Sequence, residues 1–443
     1  MKKKNTHYIL DGLMVLLNLA AARGNVLLYW IFGFTQLSHV LVFVIAIDII
    51  YLVIRFAGVR VSKGFDLSLS FAPFYFTVAL LVVNFYNAMR EGAGLVLYLS
   101  LVLLVLLFGV ILVGLKQCYI DNDQKLLSVT KGYIWLSYIS IGGMFISFLL
   151  DLLLGLHQTP ISADFLQSNI DNGSTYYRSF FSMLLQDVEI RVPFFHQFGI
   201  FTGLFHEPQA VAHQVFPFFI LMLGLSNSRR RHVLVIAFAL LFILFTLSVT
   251  NLLVIAVCLA VFFLIKFRNN FFGTFVAVGA TFVVVLLFFR MDSSGTATNF
   301  IMGRLDADNN SQLYSISMIA WTFSPHTLLG NDFLNTEYVF DILSFGGASR
   351  SDVGFIPCFL FIGYLLSLLV NTIRLILINN KQARAVGFAS LYFILHGLKI
   401  GMPMLIQTLP ILLIVLQIIA LQLYGGVSTS KKSSRNRGVQ QFV

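Results

Sequence analysis

The chain contains 443 residues, of which 58% are hydrophobic and only 11% are charged. Soluble domains carry about 25% charged residues, so this chain has too few charges to cover a water-facing surface. The composition excludes a set of soluble domains and predicts a polytopic membrane protein. Three scattered cysteines also exclude a disulfide framework and a thiolate metal site.

Apolar runs bounded by charged and turn residues predict an all-α polytopic domain that occupies the whole chain, 1–443. A helix needs roughly 20 apolar residues to cross the hydrocarbon core of a bilayer. Runs of about this length predict about twelve transmembrane helices. They lie at 9–32, 36–57, 68–88, 94–115, 132–155, 208–225, 232–249, 251–267, 271–290, 353–375, 385–403 and 405–424.

The basic residues predict the orientation of these helices, because loops on the cytoplasmic side are enriched in lysine and arginine. When the amino terminus is placed in the cytoplasm, 21 of the 29 basic residues fall on the cytoplasmic side. Both termini are then cytoplasmic, including a basic tail at 425–443. Topology therefore accounts for most of the net charge of +10, and nucleic acid is not expected as a partner.

Two polar segments are too long to be simple connectors, and both fall on the outer side of the membrane. They are residues 156–207 and 291–352. Long loops in compact proteins are usually functional or disordered. Short amphipathic runs from Tyr176 to Leu185 and from Tyr314 to Trp321 predict helices that pack on the membrane face.

The basic residues on the outer side are almost all arginines. Arginine offers bidentate contacts to phosphate and keeps its charge when partly buried. Each arginine could pair with an outer carboxylate, but together they indicate an anionic ligand, most simply a phosphate. These arginines are Arg23, Arg90, Arg178, Arg191, Arg290, Arg304 and Arg350.

The segment that ends the first outer loop has the most informative polar pattern. Pro208 predicts the start of a helix, on which His206, Gln209 and His213 follow an i, i+3, i+7 spacing and share one face. A polar stripe on a membrane helix normally faces a cavity or another helix. Three interpretations follow: a substrate cavity between Arg191 and Glu207, structural contacts to other helices, and a metal site.

The metal interpretation would use His206, His213 and Glu207. Their spacing matches no compact ligand motif, so no metal and no other cofactor is expected. The polar stripe therefore predicts mainly a substrate cavity.

The second outer segment ends at another candidate group. Asp352 follows Arg350 and directly precedes a predicted helix. It either caps that helix or orients and deprotonates a hydroxyl group. Asp11 and Asp48 lie within the first two predicted helices, where a buried acid is either functional or paired with a residue such as Arg23.

Two patches of sequence resemble the Wzy-type polymerases of O-antigen and exopolysaccharide repeat units, and more distantly the O-antigen ligases. The first runs from Thr202 to Pro208, is similar to a Gly-x-Phe-x-Glu-Pro segment of that family, and has Arg191 upstream. The second comprises Arg304, the stretch 325–330, and the stretch 351–355 followed by Gly363. The resemblance extends to the architecture of twelve helices, cytoplasmic termini and two large periplasmic loops.

The resemblance implies an integral-membrane glycosyltransferase of the GT-C type in the bacterial inner membrane. It would polymerise oligosaccharide repeat units carried on undecaprenyl pyrophosphate at the periplasmic face. A separate membrane protein that regulates chain length is an expected partner.

Site roles follow from the resemblance together with the chemistry. Arg191 and Arg304, with Arg178 and Arg350 as second choices, would hold the pyrophosphate. Glu207, Asp352 or His206 would position or deprotonate the acceptor hydroxyl, while Gln209 and His213 line the cavity.

Two alternative functions share the architecture. An O-antigen ligase has the same type of donor and a different acceptor. A flippase for lipid-linked oligosaccharides, or another transporter, would also use polar residues within the membrane. The transporter class does not require two long outer loops, and many transporter folds contain internal repeats, of which none stands out in this sequence.

Overall fold

The computed structural model describes most of the chain up to Lys266 and two further stretches. The described residues are 2–22, 25–56, 69–91, 95–119, 122–154, 159–160, 175–186, 200–205, 208–226, 228–246, 249–266, 279, 355–400 and 408–425. The segment 291–352, the tail beyond Gly425 and all of the predicted crossing 271–290 except Gly279 lie outside them, as does the run from Tyr314 to Trp321.

The described part of the chain is mostly helical, as the composition predicts. The α-helices are α1 (Lys2–Ala20), α2 (Leu27–Phe32), α3 (Leu37–Phe56), α4 (Ala72–Glu91), α5 (Leu95–Cys118), α6 (Asn122–Leu154), α7 (Pro208–Leu225), α8 (Arg229–Thr246), α9 (Val249–Lys266), α10 (Phe355–Leu377), α11 (Lys381–Ile400) and α12 (Thr408–Tyr424). A 3₁₀ turn, Leu69–Phe71, leads into α4.

Four helical stretches in the described part are long and apolar enough to cross a membrane: Leu37–Phe56, Leu99–Cys118, Lys125–Leu154 and Phe359–Leu377. Parts of α1, α4, α7, α9 and α12 are apolar but shorter. The chain is therefore a helical membrane protein. Helices occupy eleven of the twelve segments predicted as crossings, although the number of crossings and their orientation remain predictions.

The first predicted crossing, 9–32, is wrong as a single helix, because it is divided into α1 and α2. Between them, Asn25 forms an isolated β-bridge with Phe205, and the Val26 N–H donates a hydrogen bond of 2.9 Å to the Leu204 carbonyl. Asn25 Oδ1 also accepts a hydrogen bond from the Leu27 N–H at 2.9 Å. Pairing with a distant segment thus replaces the helical hydrogen bonds at this point.

The segment 156–207, which the sequence predicts to be an outer loop, contains a four-stranded antiparallel sheet in the order β1-β2-β3-β4 among its described residues. Its strands are β1 (Thr159–Pro160), β2 (Thr175–Ser179), β3 (Ser182–Gln186) and β4 (Ile200–Gly203). The helix expected from Tyr176 to Leu185 is therefore wrong, since these two residues are partners in the β2–β3 hairpin. Its two-residue turn holds Phe180 at a left-handed φ of 49°.

This sheet rests on the last half of α6. Ser179 Oγ donates to the carboxylate of Asp151, and the Phe181 N–H donates to Ser147 Oγ at 2.9 Å. One turn before that serine, a Cβ on Gly143 would approach the Phe181 carbonyl oxygen to 2.6 Å. Close contact with α6 thus fixes the sheet, and β4 leads directly towards the start of α7.

Glycines allow two pairs of helices to approach closely. A Cβ on Gly132 of α6 would overlap the backbone of α1 at Gly12. A Cβ on Gly224 of α7 would overlap the Cβ of Ala385 on α11. The α7–α11 contact brings the candidate site together.

Candidate functional site

The helix that carries the predicted polar stripe begins where the sequence predicts. Helix α7 starts at Pro208 and continues through Pro217 to Leu225. Of the stripe, Gln209 is partly exposed and His213 is only 1% exposed, whereas His206 lies outside the described residues. The buried end of the stripe therefore points into the protein.

Helix α11 packs antiparallel to α7 along its length. At one end, Lys381 Nζ donates to the carbonyl of Ser226, directly after α7. Midway, the rings of Tyr392 and Phe216 stack with centroids 4.7 Å apart. At the other end the same register places His396 beside His213, with stacked rings 5.4 Å apart. We call His213 and His396 the histidine pair.

Aromatic rings and two other helices enclose the histidine pair. The ring of Phe393 lies 4.3 Å from that of His213, and the ring of Tyr392 lies 5.3 Å from that of His396. The Tyr392 hydroxyl donates a hydrogen bond of 2.7 Å to Asn251 Oδ1 on α9. Helix α6 contributes Tyr133, whose hydroxyl donates to the carbonyl of Gln214 at 2.6 Å.

The histidine pair is notable for the hydrogen bonds it does not make. Among the described residues, His213 Nδ1 and both ring nitrogens of His396 are buried and have no hydrogen-bond partner. A buried polar atom without a partner costs about 1–3 kcal/mol. A neutral imidazole has one N–H donor and one acceptor nitrogen. The pair therefore keeps donor and acceptor capacity that no described residue uses.

A second buried polar group, at α1 and α3, is fully paired. Asp11 is fully buried. It accepts hydrogen bonds from the hydroxyls of Tyr51 (2.6 Å) and Tyr119 (2.5 Å). The Nε of Arg55 donates a third at 3.0 Å and forms an ion pair with the carboxylate. Burial and the hydrogen bond to Asp11 raise the pKa of Tyr119, so its hydroxyl remains a donor. We call these four residues the aspartate cluster, in which the acid pairs with Arg55; Arg23, the partner that the sequence suggested, lies outside the described residues.

Asp48 is a buried acid of which only one carboxylate oxygen has a described hydrogen-bond partner. Its Oδ1 accepts a hydrogen bond of 2.7 Å from the side-chain amide of Asn18, and the backbone carbonyl of Asn18 accepts one of 3.0 Å from the Thr408 hydroxyl. Its Oδ2 has no partner among the described residues. Asp48 thus links α1, α3 and α12 and keeps one oxygen unpaired in the described part of the chain.

Three of the nine predicted site residues are described: Arg178, Gln209 and His213. The guanidinium of Arg178, on β2, lies 4.8 Å from the ring centroid of Trp30 on α2. Its Nε donates a hydrogen bond of 3.1 Å to the Phe180 carbonyl. This exposed side chain therefore joins the sheet to the broken first crossing. The other six lie outside the described residues: Arg191, His206, Glu207, Arg304, Arg350 and Asp352.

No group of three or more His, Cys, Asp or Glu side chains meets within the described part of the chain. The metal interpretation of the polar stripe includes His206 and Glu207, which lie outside that part. His213 itself has an aromatic ring and a second histidine as neighbours.

Sequence reasoning missed His396. The available signal was a histidine inside an apolar predicted crossing, 385–403, because polar residues in membrane helices are often functional. Its partner is 183 residues away in the chain (396 less 213), and only the packing of α7 against α11 reveals the pair.

The fold and this site define a helical membrane protein with a buried polar cluster. Compared with protein-family models, curated proteins and solved structures, the chain shows no significant match.

Proposed function

We propose that the protein is an integral-membrane glycosyltransferase that polymerises oligosaccharide repeat units carried on undecaprenyl pyrophosphate. The observation that carries the proposal is the histidine pair. It places hydrogen-bonding atoms without described protein partners inside apolar helices. His213 lies on α7, the helix that begins at Pro208, directly after Glu207 in the sequence.

The chemistry of the pair suits a sugar substrate. Each sugar presents several hydroxyl groups, and a hydroxyl both donates and accepts hydrogen bonds, as a neutral imidazole does. The proposal assigns His213 and His396 to the binding and orientation of an acceptor sugar.

A small apolar crevice lies between α6 and α8 and is too small to enclose a polyprenyl chain. It is lined by Ile141, Met144, Phe145, Phe238, Leu241, Phe242 and Phe245. Phe242 is buried, whereas Phe238 is 40% exposed, so the crevice opens on the apolar surface of the protein. Phe245 also contacts Phe201 of β4, with ring centroids 6.4 Å apart. In the proposed reaction a polyprenyl chain would instead pack along the exposed apolar surface around this crevice, on the side of the protein that carries the sheet.

The charged roles remain those implied by the resemblance. Arg191 and Arg304 would neutralise the departing pyrophosphate, with Arg178 and Arg350 as alternatives. Glu207, Asp352 or His206 would activate the acceptor hydroxyl. The reaction would take place at the periplasmic face of the bacterial inner membrane.

Transport of lipid-linked oligosaccharide is the second candidate. Asp48 favours it, because a buried acid with one unpaired oxygen among the described residues is the kind of group that binds protons or ions in transporters. No specific observation on the described residues favours a ligase, which would share the donor.

Deletion of the gene, followed by gel analysis of surface glycan, separates these functions. A polymerase defect removes the long-chain ladder but leaves a single repeat unit attached to its acceptor. A ligase defect removes every repeat and accumulates lipid-linked polymer. A flippase defect accumulates lipid-linked units on the cytoplasmic side, and either of the last two outcomes would refute the proposal.

The phosphate-binding roles are tested by complementation with Arg191→Ala and Arg304→Ala. Each variant is expected to lose chain extension at wild-type expression, because the leaving pyrophosphate loses a charged contact. Arg437→Ala in the basic tail is the control and should restore the full ladder. Wild-type ladders from both test variants would exclude these arginines from the site.

A further inference from the structure

The connection between α7 and α8 lies beside the connection between α10 and α11. Both are at the end of the α7–α11 pair that is opposite the histidine pair. Both Lys381 Nζ and His232 Nε2 bind the carbonyl oxygen of Ser226, and the two nitrogens are 3.1 Å apart. Lys381 begins α11, and His232 lies in the first turn of α8. One backbone oxygen thus holds two basic side chains together between the two connections.

Further basic residues lie near this contact in the sequence, and no acid does. Arg229, Arg230, Arg231 and Arg374 are exposed, and Arg384 is half-buried with its Nε bound to the Ile378 carbonyl at 3.0 Å. The stretches 208–291 and 353–443 contain no Asp or Glu at all. We call Arg229, Arg230, Arg231, His232 and Lys381 the basic cluster; its own chain segments provide no counter-charge.

The position of these cations in their helices is unfavourable without an anion. The amino-terminal end of a helix carries a partial positive charge, so basic residues are normally disfavoured in its first turn. Helix α8 nevertheless begins with three arginines, and its first turn contains no acid. A bound anion would relieve both the repulsion between the arginines and their repulsion by the helix dipole.

The surface next to the basic cluster is apolar and exposed. Val233 is 61% exposed, Leu234 is 57% exposed, and Leu377, just before the second connection, is 59% exposed. Exposed aliphatic side chains on membrane helices face lipid tails. The cluster therefore lies where an apolar lipid-facing surface meets the aqueous side, at the level of phospholipid headgroups.

We infer that the basic cluster binds the headgroup of an anionic phospholipid, whose phosphodiester contacts the arginines while its acyl chains lie along α8 and α10. Arginine binds phosphate oxygens through two parallel N–H groups. Basic pockets between membrane helices are suited to such headgroups. The site is separate from the histidine pair, and the inference does not depend on the proposed glycosyltransferase activity.

Native mass spectrometry of the full chain in detergent tests the inference. The protein is titrated with phosphatidylglycerol and, in parallel, with phosphatidylcholine of the same acyl chains. The anionic lipid should bind more tightly, and each neutralised arginine should weaken its binding about fivefold. The triple variant Arg229→Gln/Arg230→Gln/Arg231→Gln should therefore bind both lipids equally.

Three arms keep the test decisive. The variant Lys431→Gln/Lys432→Gln/Arg435→Gln removes three charges from the tail and should keep the preference for the anionic lipid. The single variant Arg230→Gln should bind the anionic lipid about fivefold more weakly, with an unchanged unfolding temperature. It replaces the triple variant in the test if the triple variant misfolds. Inorganic phosphate at millimolar concentration should leave lipid binding unchanged, since it lacks acyl chains. Equal binding of the two lipids by the wild type, or an unchanged preference in Arg230→Gln, would overturn the inference.

Discussion

The aspartate cluster and the histidine pair are both buried polar groups between apolar helices, but their hydrogen bonding differs. In the aspartate cluster both carboxylate oxygens of Asp11 accept hydrogen bonds from Tyr51, Arg55 and Tyr119. In the histidine pair three ring nitrogens have no partner among the described residues. The loss of one partner from a fully paired buried group is strongly destabilising, whereas a buried group without partners already costs free energy in the folded state. The comparison thus favours a structural role for the aspartate cluster and makes the histidine pair the candidate for the proposed function.

Removal of the central acid should produce the largest loss of stability. Asp11→Ala leaves Arg55 and two tyrosine hydroxyls without their acceptor, so the free energy of unfolding should fall by about 3–5 kcal/mol. Equilibrium unfolding in detergent micelles measures the change. Adding Arg55→Met to Asp11→Ala removes the arginine charge that has lost its partner and should recover part of the lost stability. If Asp11→Ala alone is as stable as the wild type, the aspartate cluster is not structural.

A smaller effect is expected where α7 approaches α11. Gly224→Ala places a methyl group against the Cβ of Ala385, and overpacking of this kind costs about 1–3 kcal/mol. The same shift should also separate the histidine pair and shorten the glycan ladder. Both the unfolding midpoint and the ladder are measured in the same variant.

Ala385→Gly is the matched partner change for this contact. The double variant Gly224→Ala/Ala385→Gly restores the space and should recover both stability and ladder length. If the single variant is unaffected, or if the double variant recovers neither property, the α7–α11 contact does not hold the site together.

The sequence could predict the helices well but not the contacts between distant segments. Apolar length and charge are local properties, and they locate the start of α7 at Pro208. Arg23 interrupts the first apolar run and is a local sign of the break after Ala20, but the pairing of Asn25 with Phe205, 180 residues later (205 less 25), has no local signal. The β2–β3 hairpin was missed for a related reason, because its short apolar run is compatible with a helix until β4 pairs with it.

The candidate site was predicted in part. His213 was found because Gln209 and His206 share its helical face, so the spacing indicates a polar stripe. His396 has no such pattern around it, and its importance arises only from the antiparallel register of α7 and α11. The predicted charged residues that lie outside the described part remain predictions.

The most direct test of the central claim is a paired measurement on the double variant His213→Phe/His396→Phe. Phenylalanine preserves the stacked rings but removes every ring nitrogen. Because the buried nitrogens have no described partners, the variant should be at least as stable as the wild type, while chain extension falls by about 10–100-fold through the loss of hydrogen bonds to the acceptor sugar.

Tyr392→Phe is the control within the same group of rings, since it removes the donor to Asn251 Oδ1 and should lower stability by about 1–3 kcal/mol. A stable double-histidine variant that extends chains like the wild type would contradict the functional role of the histidine pair. A double variant destabilised as strongly as Asp11→Ala would show that the pair is structural after all.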